Sequence, residues 1–258
     1  LEIAAGFNFN CALTGDGATT CWGENNVLQT VAPSTPFTHI AAYGIRACGL
    51  LADGSVECWG STVGVPPAGP FSALSLGTNF GCGLLTDGSV ECWGANNDFG
   101  QLSPPAETFT QIAAGSYHAC GLKADGSVVC WGNNEEGQLN EPLGPFTFVS
   151  SGVHLSCAIR TNGTVTCWGR NNVGQGSPPT AAFSAVDAGG EETCGIQSGG
   201  TVLCWGAASY VSNQVPLTQG FSSISIGSQH GCGITTAGSV VCWGYNGNGQ
   251  IQVPASLP

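Results

Sequence analysis

The sequence has no methionine, only four basic residues (Arg46, Lys123, Arg160 and Arg170), and a charged fraction of 8%. Sixteen acids leave a net charge of −12. So acidic a chain repels phosphate backbones, which argues against a nucleic-acid partner. Solubility of a secreted protein is the preferred reading of the acidity over an acidic-patch function. No apolar run is long enough for a membrane-spanning helix. No signal-peptide pattern is visible, and Leu1 opens directly on a repeat, as expected of a processed or trimmed secreted chain. A sustained 3.6-residue period is missing, so no helix of consequence is expected. The HExxH, GxSxG and SxxK signatures are missing too, and with them the commonest hydrolase chemistries.

What is present is repetition. The stretch Cys48-Gly-Leu-Leu-Ala-Asp-Gly-Ser-Val-Glu-Cys-Trp-Gly60 has seven counterparts, counting itself, and they hold all 14 cysteines and all 7 tryptophans. The cysteine pairs are Cys11/Cys21, Cys48/Cys58, Cys82/Cys92, Cys120/Cys130, Cys157/Cys167, Cys194/Cys204 and Cys232/Cys242, always with nine residues between the partners and always followed by Trp-Gly. Successive first cysteines lie 34 to 38 residues apart, a period that means a repeat architecture. Zinc is the competing reading of so many cysteines. Its knuckles want two to four intervening residues, so the pattern favours disulfides and hence an oxidising compartment.

The motif sets its own register. Positions 48 and 58 are symmetric about residue 53, which a hairpin with a three-residue loop, Ala52-Asp53-Gly54, satisfies. The loop glycine must then be left-handed, and glycine recurs there as Gly17, Gly54, Gly88, Gly126, Gly163, Gly200 and Gly238. Paired cysteines therefore face each other at a non-hydrogen-bonded position, where side chains approach most closely. Each tryptophan falls opposite a small or short residue: Asn10, Ala47, Gly81, Ala119, Ser156, Thr193 or Gly231. Cystine on one face and indole on the other leave neither face for solvent.

Two further segments complete a repeat. An apolar strand precedes the hairpin, opened by Phe37, Phe71, Phe109, Phe146, Phe183 or Phe221 eleven residues before the cysteine; Tyr43 takes the slot that glycine closes elsewhere. After the tryptophan comes Asn-x-x-(x)-Gly-Gln, as in Asn96 to Gln101, Asn134 to Gln138, Asn171 to Gln175 and Asn246 to Gln250. Repeat one has Leu28 in the glycine slot, and repeats two and six lack the asparagine. Short strands covered on both faces and repeated seven times suit the blades of a propeller. An open solenoid would want atypical polar ends, and repeats one and seven are ordinary. The expectation is an all-β, seven-bladed β-propeller with one intra-blade disulfide per repeat. It forms a single domain over 1–258, with approximate repeats 1–34, 35–68, 69–106, 107–143, 144–180, 181–218 and 219–258.

The motif Cys-x9-Cys-Trp-Gly-x-Asn-x-x-Gly-Gln resembles the repeat of the regulator of chromosome condensation superfamily, which implies a seven-bladed propeller over the whole chain. The cysteine pairs make it similar to the extracellular branch, namely ectodomains of CRINKLY-type plant receptor kinases and secreted or surface bacterial repeat proteins. The run Gly249 to Pro254 also resembles the secreted beta-lactamase inhibitory protein of this fold, which lacks these cysteines. A nuclear exchange-factor role does not carry over to an acidic, disulfide-rich chain. Fold membership leaves the function to the site.

Function is sought where the repeats stop agreeing, just before each first cysteine and after each tryptophan. The candidate partner-binding rim comprises Phe7, Asn8, Phe9, Ile45, Arg46, Asn79, Phe80, Tyr117, His154, Glu191, Glu192, Gln229 and Tyr245. Outer loops add Glu24, Asp98, Phe99, Glu135, Glu136, Arg170 and Tyr210. Varied positions rich in aromatics and charge suit recognition. His118 and His230 share the slot two before the cysteine and read as structural; His39 lies within a strand. The carboxylate pairs Glu135-Glu136 and Glu191-Glu192 could suggest glycoside hydrolysis, but neighbours on a strand point apart. Asn162-Gly163-Thr164 is both a hairpin turn and a glycosylation sequon. The expected protein is a secreted or cell-surface, monomeric, non-catalytic module without metal or cofactor. It binds a protein partner through one rim, with a glycan-binding lectin as the alternative and a hydrolase as the least favoured reading.

Overall fold

The computed structural model describes residues 1–61, 64–207 and 210–258, Tyr210 by its backbone alone, so that side chain lies outside the described residues. Each repeat folds into a three-stranded antiparallel sheet whose strands follow chain order, giving seven sheets. Blade 1 holds Glu2–Ala5, Phe9–Leu13 and Thr19–Gly23; blade 2 holds His39–Tyr43, Arg46–Leu50 and Val56–Gly60. Blade 3 holds Phe71–Leu76, Phe80–Leu85 and Val90–Gly94; blade 4 holds Gln111–Ala114, His118–Leu122 and Val128–Gly132. Blade 5 holds Phe146–Ser151, Leu155–Arg160 and Val165–Gly169; blade 6 holds Phe183–Ala188, Glu192–Gln197 and Val202–Gly206. Blade 7 holds Phe221–Ile226, His230–Thr235 and Val240–Gly244. The one helix among the described residues is the four-residue Tyr210–Asn213.

The hairpin register is the expected one. Cys48 faces Cys58 and Ala47 faces Trp59, and all seven hairpins share this pairing. Seven disulfides close it: Cys11–Cys21, Cys48–Cys58, Cys82–Cys92, Cys120–Cys130, Cys157–Cys167, Cys194–Cys204 and Cys232–Cys242. Their Cα atoms are 4.0–4.1 Å apart, as at a narrow pair. At the turn, Gly54 (φ 82°) donates to the Leu51 carbonyl while Leu51 donates to Ser55, a type I turn with a left-handed bulge residue.

First strands of successive blades touch all round the ring, including the first against the seventh, so they surround the axis. The third strand of each blade is therefore its outer edge, which corrects the expectation that cystine is wholly shielded from solvent. Each bridge is buried at one end only. The first cysteines, on the central strands, are at most 2% exposed. Their partners Cys21, Cys58, Cys92, Cys130, Cys167, Cys204 and Cys242, on the edge strands, are only half-buried. An edge strand has a sheet neighbour on one side alone, so its side chains keep some contact with water.

Between blades the cores follow one rule. The cystine face of one blade meets the tryptophan face of the next: Phe9, Cys11 and Leu13 pack against Phe37, Ile40, Ala47 and Trp59. Phe37 lies so close over Gly49 that a Cβ there would sit 2.3 Å from its ring. Gly83, Gly121, Gly195 and Gly233 meet their phenylalanines in the same way, whereas blades 1 and 5 carry Ala12 and Ala158 in this slot. The last interface, Cys232, Ile234 and Val240 against Ile3, Ala12 and Trp22, has no phenylalanine, and Val253 and Leu257 pack there instead.

Hydrogen bonds repeat the logic. The indole Nε1 of Trp59, Trp131, Trp168 and Trp205 donates to the backbone carbonyl of the glutamine 30 residues earlier, in the preceding blade. Trp22 does so to Gln250 at 3.0 Å and thereby joins the two ends of the ring. The Asn-x-x-Gly-Gln segment that presents those carbonyls is a self-bonded turn: Asn134 accepts from Leu139 N and Gln138 Oε1 from Glu136 N. In repeat three the capping asparagine is Asn97, one residue later than the sequence pattern suggested.

Leu28 breaks that turn's rule. Its φ is 65°, where Gly100, Gly137, Gly174 and Gly249 sit at 77–87°, and its side chain is 64% exposed. Left-handed backbone costs a β-carbon residue about 1–2 kcal/mol, partly offset by glycine's greater freedom when unfolded. Leu28→Gly should therefore raise stability by ~0.5–1 kcal/mol in chemical denaturation. A loss would show that the leucine makes contacts worth more than its strain.

Around the axis, Ser75, Ser150, Asp187 and Ser225 each accept a backbone N–H from the next blade, at 2.7–3.0 Å. Asp187 also accepts from Ser150 Oγ at 3.0 Å. Burial among the blades pushes the Asp187 carboxyl up to about 6, against the pull of these donors. The folded chain therefore keeps this proton over a pH range in which the unfolded chain has released it. Stability contributed here is full below about pH 4 and lost as pH rises through about 6. Asp187→Ser keeps an acceptor, as in the serine blades, and removes the charge. Its stability relative to the parent should rise by about 2 kcal/mol between pH 4 and pH 7. A difference that stays flat with pH would contradict the assignment.

Candidate recognition rim

The rim opposite the Asp-Gly turns is built by a second set of backbone anchors. After each Trp-Gly the chain donates back to the inner loop of its own blade. Glu24 N bonds Asn8 O, Ser61 N bonds Ile45 O, and Ala95 N bonds Asn79 O. Asn133 bonds Tyr117, Arg170 bonds His154, Ala207 bonds Glu191 and Tyr245 bonds Gln229 in the same way. One residue per blade is thus held at the same height by its carbonyl, while its side chain is free to differ. These seven, Asn8, Ile45, Asn79, Tyr117, His154, Glu191 and Gln229, are all partly or fully exposed.

Four residues expected on this rim are elsewhere. Phe9 and Phe80 are fully buried, and Arg46 and Glu192 are only 4% exposed. All four occupy the slot two before the cysteine. Strand alternation turns that slot to the cystine face and into the inter-blade core. His118, Leu155 and His230 fill it in the other blades. His118 Nε2 pairs with Ser156 Oγ at 2.9 Å and His230 Nε2 with Asn10 Oδ1 at 2.8 Å, both across a blade boundary. Burial lowers them to about 3 and about 4, so both are neutral structural groups. The Glu192 carboxylate accepts from Ser212 N at 3.2 Å while Glu191 faces solvent, so the adjacent carboxylates do point apart.

Phe7 is half-buried at the axis rather than standing out as a contact residue. Its ring packs 5.5 Å from that of Tyr43, whose hydroxyl pairs with Ser116 Oγ at 2.8 Å. Burial pushes the Tyr43 phenol up to about 12, so it stays protonated. Backbone bonds between blades, such as Phe7 N to Gly44 O and Ser228 N to Phe7 O, lace this end of the ring around a cavity of about 90 Å³.

A depression on the rim runs between blades 3 and 4. It encloses about 350 Å³ and brings together Asn79, Tyr117 and His154 with the outer-loop residues Asp98, Phe99 and Glu135. Phe99 and Tyr117 pair at 5.7 Å. Asn96 and Asn133 also line it, the latter unmarked by any sequence signal. Desolvation, then the nearby Arg170, hold His154 below its ordinary range against the opposing pull of Glu136 and Glu135. Asn8, Ile45, Glu191, Gln229 and Tyr245 are not among this groove's lining residues. Among the described residues, no three His, Cys, Asp or Glu gather at metal-binding spacing. Among the same residues, no helix is long and apolar enough to cross a membrane.

Fold and rim define a disulfide-stapled seven-bladed β-propeller that offers a ring of non-repeating side chains on a repeated backbone. The chain belongs to the family of the regulator of chromosome condensation (RCC1) repeat, whose model matches residues 2–29, 71–101, 109–138, 146–175 and 221–250. The unmatched repeats, two and six, are the two without the turn asparagine. The chain is similar to the ectodomain of the Physcomitrella patens receptor kinase CR4, with 29% identity and a TM-score of 0.82 over 94% of this chain and 72% of that one. It is also similar to the CRINKLY WD40 ectodomain of the Arabidopsis thaliana receptor kinase ACR4, with 26% identity and a TM-score of 0.81 over 99% of this chain and 96% of that one. Yeast RCC1 (Prp20), solved with Kap60, shares the fold at 17% identity and a TM-score of 0.58, over 99% of this chain and 72% of that one. No curated protein matches the sequence.

Proposed function

We propose that this chain is an extracellular, non-catalytic binding module, secreted or displayed at the cell surface, that recognises a protein partner through the rim. The observation that carries the reading is the contrast within each repeat. Backbone anchors fix one rim residue per blade, yet those residues run Asn8, Ile45, Asn79, Tyr117, His154, Glu191, Gln229, with no two neighbours alike. A surface built for contact needs such variety on a rigid frame, and the cystine and tryptophan cores supply the frame. Seven disulfides and likeness to two receptor-kinase ectodomains support the extracellular setting. The partly exposed pair Phe99 and Tyr117, flanked by asparagines, favours a glycan as the second reading.

Presenting the chain to an array of extracellular protein domains and to a glycan array separates the two. A protein hit weakened at least about tenfold by Tyr117→Ala with Gln229→Ala is expected, since contact aromatics commonly carry over 1 kcal/mol. Sugar binding alone, lost with Phe99→Ala, would replace this reading with the lectin.

A further inference from the structure

We infer that the groove between blades 3 and 4 is an anchoring pocket for a cationic side chain, arginine or lysine, presented by a basic segment of the partner. The inference rests on the rim reading and names what the rim recognises. Its floor is aromatic: Phe99, 42% exposed, and Tyr117 meet at 5.7 Å and 55°, and aromatic faces attract cations. Its walls are the exposed carboxylates of Asp98, from blade 3, and Glu135, from blade 4.

Neither carboxylate is in an ion pair, and the nearby cation Arg170 lies by His154, bonded through Nε to Asn172 Oδ1. Among the described residues the ion pairs are His39 with Glu2 and Lys123 with Glu107, both outside the groove. One oxygen of each is already held, Asp98 Oδ2 by Asn96 Nδ2 at 2.8 Å and Glu135 Oε2 by Asn133 Nδ2 at 3.2 Å. Those bonds fix the carboxylates and leave Asp98 Oδ1 and Glu135 Oε1 without a protein donor among the described residues. Each of those bonds uses one of the two amide N–H donors of Asn96 and Asn133, leaving fewer for sugar hydroxyls. The chain's net charge of −12 adds a long-range field that draws a basic partner and repels an acidic one.

The test titrates the whole chain by NMR with acetyl-Gly-Arg-Gly-amide, its lysine counterpart and its citrulline isostere, and separately with methyl glycosides. The arginine and lysine peptides should shift the Phe99 and Tyr117 ring signals with millimolar affinity, weakened about fivefold by citrulline, by Phe99→Ala, or by Asp98→Asn with Glu135→Gln. Because the paired variants keep the asparagine bonds available and lie at the surface, an unchanged thermal melt checks that they fold. Equal affinity for citrulline, no binding up to about 20 mM, or shifts by glycosides alone would each overturn the cationic pocket. A protein partner lost with Gln229→Ala but indifferent to Asp98→Asn with Glu135→Gln would remove this inference and leave the rim reading standing. A partner indifferent to every rim change would remove the rim reading itself.

Discussion

Truncating Trp168 to alanine is expected to cost about 4 kcal/mol in chemical denaturation, within the range for removing a large buried aromatic. The indole is 7% exposed and fills the space between Cys120, Leu122 and Val128 of blade 4 and Phe146, Val149 and Ala158 of its own blade. Its Nε1 also donates to Gln138 O at 2.9 Å. Phenylalanine separates the two contributions. Trp168→Phe loses both volume and a hydrogen bond. Trp243→Phe loses only volume, because Trp243 Nε1 has no acceptor among the described residues. The first should cost ~1 kcal/mol more than the second. Equal costs would mean that the bonds across the blade boundary add nothing to the packing.

The second large effect comes from the staples. Replacing Cys157 and Cys167 by alanine opens an eleven-residue ring and should cost about 2.5–3 kcal/mol in the chain-entropy picture. Cys157 is fully buried in the core against blade 6, so lost packing adds to the entropy. Removing all seven bridges should cost less than seven times one, because a hairpin persisting in the unfolded chain already restricts each ring. A single-bridge variant as stable as the parent would show that the blade cores suffice alone.

The scaffold was legible because everything that sets it is local and repeated. Cysteines ten apart, a left-handed glycine between them and a small residue opposite tryptophan fix a hairpin without knowledge of the rest. What the hairpin does not report is which of its strands ends up at the blade's edge, so the partial exposure of Cys21 and its six counterparts was not foreseen. The rim was half legible. Alternation, applied to His118 and His230, places them in the core, and the same rule buries Phe9, Arg46, Phe80 and Glu192. Variability and charge pointed the other way and misled, since Arg46 and Glu192 are charged residues in a core slot that composition alone would not fill so. Phe7 was named for the rim, but its half-burial was not legible because its partner is Tyr43 of the next blade. Nor was the pairing of Phe99 with Tyr117, because their groove exists only once two blades stand side by side. Contacts between blades depend on ring geometry, and no spacing within one repeat reports it.

The claim that the rim, rather than the turn face, recognises the partner is tested most directly by one comparison. The dissociation constant of the partner is measured for Tyr117→Ala with Gln229→Ala and for the turn-face pair Asp53→Ala with Asp125→Ala. All four positions are at least partly exposed, and the turn carboxylates, bonded to Ser55 and Ser127, lie at the opposite end of the strands. The account predicts at least about a tenfold loss for the rim pair and less than about twofold for the turn pair. A tenfold loss confined to the turn pair would contradict it.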